Sequence, residues 1–181
     1  MAAMAGSVSR RYARALFSIG LDRGSFEALG KELEAFAELW VGSAELRQAL
    51  ANPVFKASEK RKVLEGLLPR VTPSSDVQKF LLLLLERRRL AAVPNIARAY
   101  REMADEKMGR VRAQVTSAQP LGAAELERVR ASLAKRTGKQ VIVEAAVDPA
   151  LIGGVVARVG DLVLDGSVRT QLGTLRDKLL N

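Results

Sequence analysis

Tyr100-Arg-Glu-Met-Ala-Asp-Glu-Lys-Met-Gly-Arg-Val-Arg-Ala-Gln-Val-Thr-Ser117 changes its hydrophobic rhythm part-way along. Before Gly109, Ile96, Tyr100 and Met103 recur at steps of four and three, the spacing of one helical face. After it, Val111, Ala113 and Val115 alternate with Arg112, Gln114 and Thr116, the period of a half-buried strand. The switch predicts a helical first part and a mixed β/α second part. The rings respect the same boundary. Tyr12, Phe17, Phe26, Phe36, Trp40, Phe55, Phe80 and Tyr100 are all the aromatic residues, and none lies beyond Tyr100. The first part can build its core around rings, whereas the second must pack with aliphatic side chains alone.

Working towards the N-terminus, the helical period continues. Residues 7–22 place Val8, Tyr12, Ala15, Leu16 and Ile19 along one stripe. Ser25 is a candidate N-cap for a helix carrying Phe26, Leu29, Leu33, Phe36 and Trp40. A short helix with Leu46 and Leu50 inward is broken by Asn52-Pro53. Ser58 is expected to cap a helix with Val63, Leu64 and Leu67, and Pro69 and Pro73 to bracket a loop. Ser74 and Ser75 open a helix containing Val77, Phe80, Leu81, Leu84 and Leu85, and a last one starts near Pro94. Six helices with short connections read as a bundle. Working towards the C-terminus, residues 111–117 form a strand and Pro120 and Gly122 end it. Residues 123–136 form a helix with Leu126, Val129 and Leu133, closed by Gly138. Residues 140–147 form a second strand. Residues 155–159 and 162–164 form two short strands around the hairpin turn Gly160-Asp161. Asp165-Gly166-Ser167 then caps a terminal helix bearing Val168, Leu172, Leu175 and Leu179. This second part has a thin core and is expected to lean on a partner or on the first domain.

With 181 residues the chain suits one medium domain or two small ones. It has no histidine and no cysteine, which excludes Ser-His-Asp and Cys-His centres, zinc sites built on those residues and any disulfide. Its 48% hydrophobic and 27% charged content is that of a soluble globular protein. The densest apolar run, Phe80-Leu-Leu-Leu-Leu-Leu85, is far short of the roughly 20 residues that span a bilayer. The net charge of +9 points to an acidic partner. Residues 1–105 hold 17 basic and 12 acidic residues and the remainder 12 and 8, so the excess is spread along the chain. Arg87-Arg88-Arg89 reads as a solvated helix end complementing its dipole.

No motif carries catalysis. Neither a Walker-type nor a dinucleotide-binding glycine pattern occurs. Ser132-Leu-Ala-Lys135 matches S-x-x-K without its companion motifs, on the surface of an amphipathic helix. Asp148, Asp161 and Asp165 each lie at a turn, where a carboxylate bonds nearby amides. Gly153-Gly154 reads as a tight turn leading into the next strand. No catalytic, cofactor or metal residue is therefore expected. A basic nucleic-acid-binding protein is the alternative reading of the charge, and a carboxylate-based enzyme that of the three aspartates. The stronger signal is surplus apolar surface. Residues 7–22 carry Ala13, Phe17 and Gly20 off the main stripe, and residues 80–85 are apolar nearly all round. Such helices are either central or covered by a partner.

Arg11-Tyr-Ala-Arg-Ala-Leu-Phe17, Asn52-Pro-Val-Phe55 and, above all, Val141-Ile-Val-Glu-Ala-Ala-Val-Asp-Pro-Ala-Leu-Ile-Gly-Gly-Val-Val-Ala-Arg-Val-Gly160 followed by Asp161-Leu-Val-Leu-Asp-Gly-Ser-Val-Arg169 carry a resemblance. The sequence resembles the delta-subunit (oligomycin-sensitivity-conferring protein) family of F-type ATP synthases over essentially its whole length. That resemblance implies a six-helix domain over residues 1–107 and a small α+β domain over residues 108–181. It implies a non-catalytic stator subunit without cofactors, which joins the catalytic head to the peripheral stalk so that the head resists rotor torque. It implies that the bundle receives the N-terminal helix of an alpha subunit, using the first and fifth helices, near Tyr12, Ala13, Leu16, Val77, Phe80, Leu81 and Leu84. It implies that the second domain meets the C-terminal helices of the b subunits, with Val168, Leu172, Leu175 and Leu179 as contacts. No nucleic acid and no membrane insertion are implied. The short N-terminus favours the cytoplasmic face of a bacterial inner membrane over an organelle.

Overall fold

The computed structural model of the chain describes residues 2–52, 54–160, 162–170 and 172. Two compact units follow one another, Met1–Ala104 and Asp105–Asn181, with the boundary in the last turn of a helix. The first unit contains α1 (Ala2–Asp22), α2 (Phe26–Gly42), α3 (Ala44–Ala51), α4 (Ala57–Val71) and α5 (Ser75–Glu86), a single 3-10 turn (Leu90–Ala92) and α6 (Val93–Lys107). The second contains β1 (Arg110–Ser117), α7 (Ala123–Thr137), β2 (Gln140–Val147), β3 (Val155–Val159) and β4 (Leu162–Asp165), and a further helical turn begins at residue 168. The fold class is thus a six-helix N-terminal part followed by a small mixed β/α part.

Leu29, Leu33, Phe36 and Trp40 of α2 are buried, as their steps of four and three predict, and so are Leu46 and Leu50 of α3. The buried stripe of α1 differs from the expected one. Ser9, Ala13, Leu16 and Gly20 face inward, Tyr12 is half-buried, and Ala15 and Ile19 are exposed. The reason is close approach. A Cβ on Gly20 would lie 2.8 Å from the Cα of Phe26 and 2.9 Å from the Tyr100 hydroxyl oxygen. The Tyr100 hydroxyl donates to the Phe26 carbonyl at 2.8 Å. Phe17 stands edge-on to both rings, at 5.8 Å from Phe26 and 5.5 Å from Tyr100. Small residues let α1 sit deep, and the large apolar ones beside them are turned out.

α4 also departs from expectation. It begins at Ala57 rather than after Ser58, because the Glu59 carboxylate accepts the Lys56 backbone N–H at 2.8 Å. It runs through Pro69 to Val71 instead of ending in a loop there. Proline deletes one helical hydrogen bond, but burial of Leu64 and Leu68, one turn apart, holds the final turn. Thr72, at φ 40°, ends it. Val63 is exposed rather than inward. The Asn52-Pro53 break is visible at Asn52, whose side chain accepts the Val54 N–H at 3.0 Å; Pro53 lies outside the described residues.

In the second unit the strand order is β2-β1-β3-β4. β1 and β2 are parallel, with Val111 opposite Val141 and Val115 opposite Ala145, which requires a crossover, here α7. β1–β3 and β3–β4 are antiparallel. Val159 pairs with Leu162; the expected turn Gly160-Asp161 includes Asp161, which lies outside the described residues. Gly138, at φ 66°, closes α7. The core is entirely aliphatic: Ala113, Val115, Leu133, Val141, Ala157 and Val159, with Val129, Val143 and Leu164 packed against it. Arg112, on the opposite face, donates to Asp105 at 2.6 Å and to Glu144 at 3.0 Å. Burial works against the guanidinium charge, but the two carboxylates more than offset it and hold the Arg112 pKa above its ordinary value.

Candidate partner-binding surfaces

Of the seven residues expected near an alpha-subunit groove, Tyr12, Ala13 and Leu16 lie on α1 and Val77, Phe80, Leu81 and Leu84 on α5. The Tyr12 and Phe80 rings meet edge-on at 6.4 Å, bridging the two helices. Arg23, just beyond α1, donates to Asp76 in the first turn of α5 at 2.5 Å. Ala13, Leu16, Val77, Leu81 and Leu84 are at most 1% exposed and Phe80 is buried; only Tyr12 is half-buried. The fully buried ones belong to the core of the first unit. The apolar groups that α1 and α5 present to solvent are others: Ile19, 41% exposed, Leu21, and Leu83, 40% exposed. Sequence reasoning missed Leu83 because the run from Phe80 to Leu85 is apolar all round, and periodicity cannot choose one leucine among five. It also placed Ile19 inward. The signal that could have found it was the small-residue stripe Ser9, Ala13 and Gly20, which marks the face of closest packing.

In the second unit, the contacts expected for the b subunits begin where the chain leaves the sheet. Asp165 accepts from the Ser167 N–H and the Thr170 hydroxyl, both at 2.8 Å. Those bonds, the backbone one first, hold its carboxyl below the usual carboxylate range. The Ser167 hydroxyl oxygen accepts the Thr170 N–H at 3.3 Å, the N-cap the sequence predicts. The segment is clamped to Gly153-Gly154. The Val168 N–H donates to the Gly153 carbonyl at 3.0 Å, and a Cβ on Gly154 (φ +83°) would lie 2.4 Å from the Gly166 carbonyl oxygen. The glycine pair is therefore the seat of the terminal segment, beyond the turn that the sequence suggested. Val168 is half-buried, while Leu172 is 58% exposed. Leu175 and Leu179 lie outside the described residues. Ile152, next to the glycine seat, is 71% exposed.

The exposed side chains of these surfaces, Ile19, Leu21, Leu83, Ile152 and Leu172, are apolar. Among the described residues no group of three or more acidic, histidine or cysteine side chains converges on a possible metal position. Asp148 accepts the N–H of Ala150 at 2.9 Å, as a turn residue does. Among the described residues no helix is long and apolar enough to cross a membrane.

The family model described as the ATP synthase delta (OSCP) subunit matches residues 8–179, across both units. The chain belongs to that family. It is 42% identical over 173 residues to the ATP synthase subunit delta of Geotalea uraniireducens, covering 96% of each chain. It is 42% identical over 174 residues to that of Anaeromyxobacter dehalogenans strain 2CP-1, covering 96% of this chain and 97% of the relative. Among solved structures, a chain of the Toxoplasma gondii mitochondrial ATP synthase hexamer, determined by cryo-EM, superimposes with a TM-score of 0.71 at 27% identity, over 96% of this chain and 97% of that one. As a delta (OSCP) family member the chain is a non-catalytic stator subunit, with the family's general role of linking the F1 head to the peripheral stalk.

Proposed function

We propose that the two units divide this linking role. The bundle, residues 1–107, takes the N-terminal helix of an alpha subunit at the α1–α5 seam. The second domain, residues 108–181, takes the C-terminal helices of the b subunits along the face bearing Val168, Leu172, Leu175 and Leu179. The observation that carries the reading is the α1–α5 seam itself. Tyr12 and Phe80 tie two helices over a packed floor, and Ile19 and Leu83 stand exposed on the helices that flank it. An amphipathic helix lying there would bury those two side chains and touch Tyr12, with Ala13, Leu16, Val77, Leu81 and Leu84 supporting the floor beneath.

The mechanism is mechanical. During proton-driven ATP synthesis at the cytoplasmic face of a bacterial inner membrane, the rotor drags the head, and the stator contacts must outlast many turnovers. Apolar anchors in preformed seats dissociate slowly, and slow dissociation is the property required. The +9 charge steers acidic stalk helices onto the chain. Calorimetric titration of the full chain with a peptide of the alpha-subunit N-terminus from the same organism tests the seam. One-to-one binding that Leu83→Glu weakens at least tenfold is expected. Binding unaffected by both Leu83→Glu and Ile19→Glu would place the alpha contact elsewhere.

A further inference from the structure

A concavity of the first unit, lined by none of the seven residues discussed above, opens where the ends of α2, α3, α4 and α5 meet. Its volume is about 730 Å³, within the range of about 300–1,000 Å³ typical of small-molecule sites. Trp40, Leu50 and Leu90 form a buried apolar floor, with Leu82 and Leu85 half-buried on one wall. Phe55, 46% exposed, stands at the mouth. The polar rim is Lys60, Arg61, Glu86 and Arg88. Arg61 is engaged by Glu65 at 2.8 Å. Among the described residues Lys60 and Arg88 form no ion pair, and neither does Glu86, so the rim of this apolar hollow carries more positive than negative charge. Arg88 also sits at φ +56° in the turn that closes α5, where glycine would be the unstrained residue.

The outline of the hollow selects its occupant. α4 contributes only residues 57–61 and α5 only residues 82–86, each about 6 Å of helix at 1.5 Å per residue. A helical peptide anchored at i, i+3 or i+4, and i+7 needs a trough of about 10 Å. The lining comes instead from five segments converging on one pit, which suits one flexible chain with a charged end. We propose that this pit binds a single-chain anionic amphiphile, of which a medium-chain fatty carboxylate is the simplest, with its alkyl chain against Trp40 and Leu82 and its head at the Lys60 and Arg88 rim.

Titration calorimetry of the full chain with decanoate, octanoate and decanol, each below its aggregation concentration, tests this. Saturable one-to-one decanoate binding is expected. Octanoate should bind about sixteenfold more weakly, at about fourfold for each methylene lost. Decanol should bind at least fivefold more weakly for want of the charge. Phe55→Asp should abolish decanoate binding with an unchanged melting temperature, because Phe55 is half out of the protein, and Arg88→Gln should weaken it about fivefold or more. No saturable decanoate binding, decanol binding as tightly as decanoate, or binding that survives both Phe55→Asp and Leu82→Asp would overturn the proposal. Binding of an acidic amphipathic peptide without decanoate would overturn it too, and assign the pit to a protein. None of these readouts involves the alpha or b subunits, so the stator reading stands or falls separately.

Discussion

Gly20→Ala sets two effects of comparable size against each other, and the packing decides the sign. Within a helix, replacing glycine by alanine is worth about 1 kcal/mol in favour of the fold. Here the new methyl would meet the Cα of Phe26 at 2.8 Å, a backbone atom that cannot swing away, and the Tyr100 oxygen at 2.9 Å. Overpacking of this kind costs about 1–3 kcal/mol. Displacing Tyr100 also breaks its 2.8 Å bond to the Phe26 carbonyl inside the core, a further ~1 kcal/mol or more. The net expectation is destabilisation by about 1–3 kcal/mol, lowering the melting temperature of the bundle by at least about 5 °C. Gly66→Ala is the control. Gly66 lies in α4 with nothing within 4 Å of the added Cβ, so it should gain about 0.5–1 kcal/mol. Trp40 fluorescence during urea unfolding reports the bundle alone, because every ring lies at or before Tyr100. If Gly20→Ala were as stable as the parent, or more so, the close α1–α2 approach would be refuted.

Burial pushes the Tyr100 pKa up to about 12, so the folded chain keeps a proton that the unfolded chain releases near pH 10. This contribution to stability is present below about pH 10 and lost as the pH rises towards 12; urea midpoints should fall less over that window in Tyr100→Phe than in the parent. Arg112→Ala would leave the nearly buried Asp105 carboxylate without its 2.6 Å partner, and should lower stability by about 1–2 kcal/mol after allowance for solvent screening, measured by chemical denaturation. Gly154→Ala strains a φ of +83° and drives a methyl into the Gly166 carbonyl, so hydrogen exchange at Val168 should accelerate while Trp40 unfolding stays unchanged. Because the folded pKa of Asp165 is depressed, its clamp on Ser167 and Thr170 is present above about pH 4 and lost as the pH falls below it; exchange at Thr170, corrected for intrinsic rate, should show that onset. Association with the C-terminal region of the b subunits should slow with added salt; a rate equal at low and high salt would remove charge steering.

The strands and the helix of the second unit were legible in the sequence to within a residue or so. Alternation at Val111–Val115, the glycine at 138 and the two-residue gap before Leu162 each have one reading. The sequence was less legible where tertiary packing overrides a local rule. Pro69 stops a helix in isolation, yet Leu64 and Leu68 carry α4 past it. α1 turns Ile19 outward because Gly20 permits closer contact than a large side chain would, and a hydrophobicity stripe ranks isoleucine above glycine. The candidate site suffered most from this. Ala13, Leu16, Val77 and Leu81 were recognisable as apolar on the first and fifth helices, but whether a side chain there is free to touch a partner depends on how far the bundle has already buried it. The same holds for the pit at Trp40 and Phe55, since no local pattern joins residues from α2, α3, α4 and α5.

The central claim is that this chain bridges head and stalk, and co-sedimentation tests it most directly. The soluble part of the b subunits is mixed with the catalytic head from the same organism, with and without the full chain, and the head is pelleted. The account predicts that b sediments with the head only when the chain is present, and that Leu83→Glu releases the head while leaving the chain on b. Equal sedimentation of b without the chain, or none with it, would contradict the stator role.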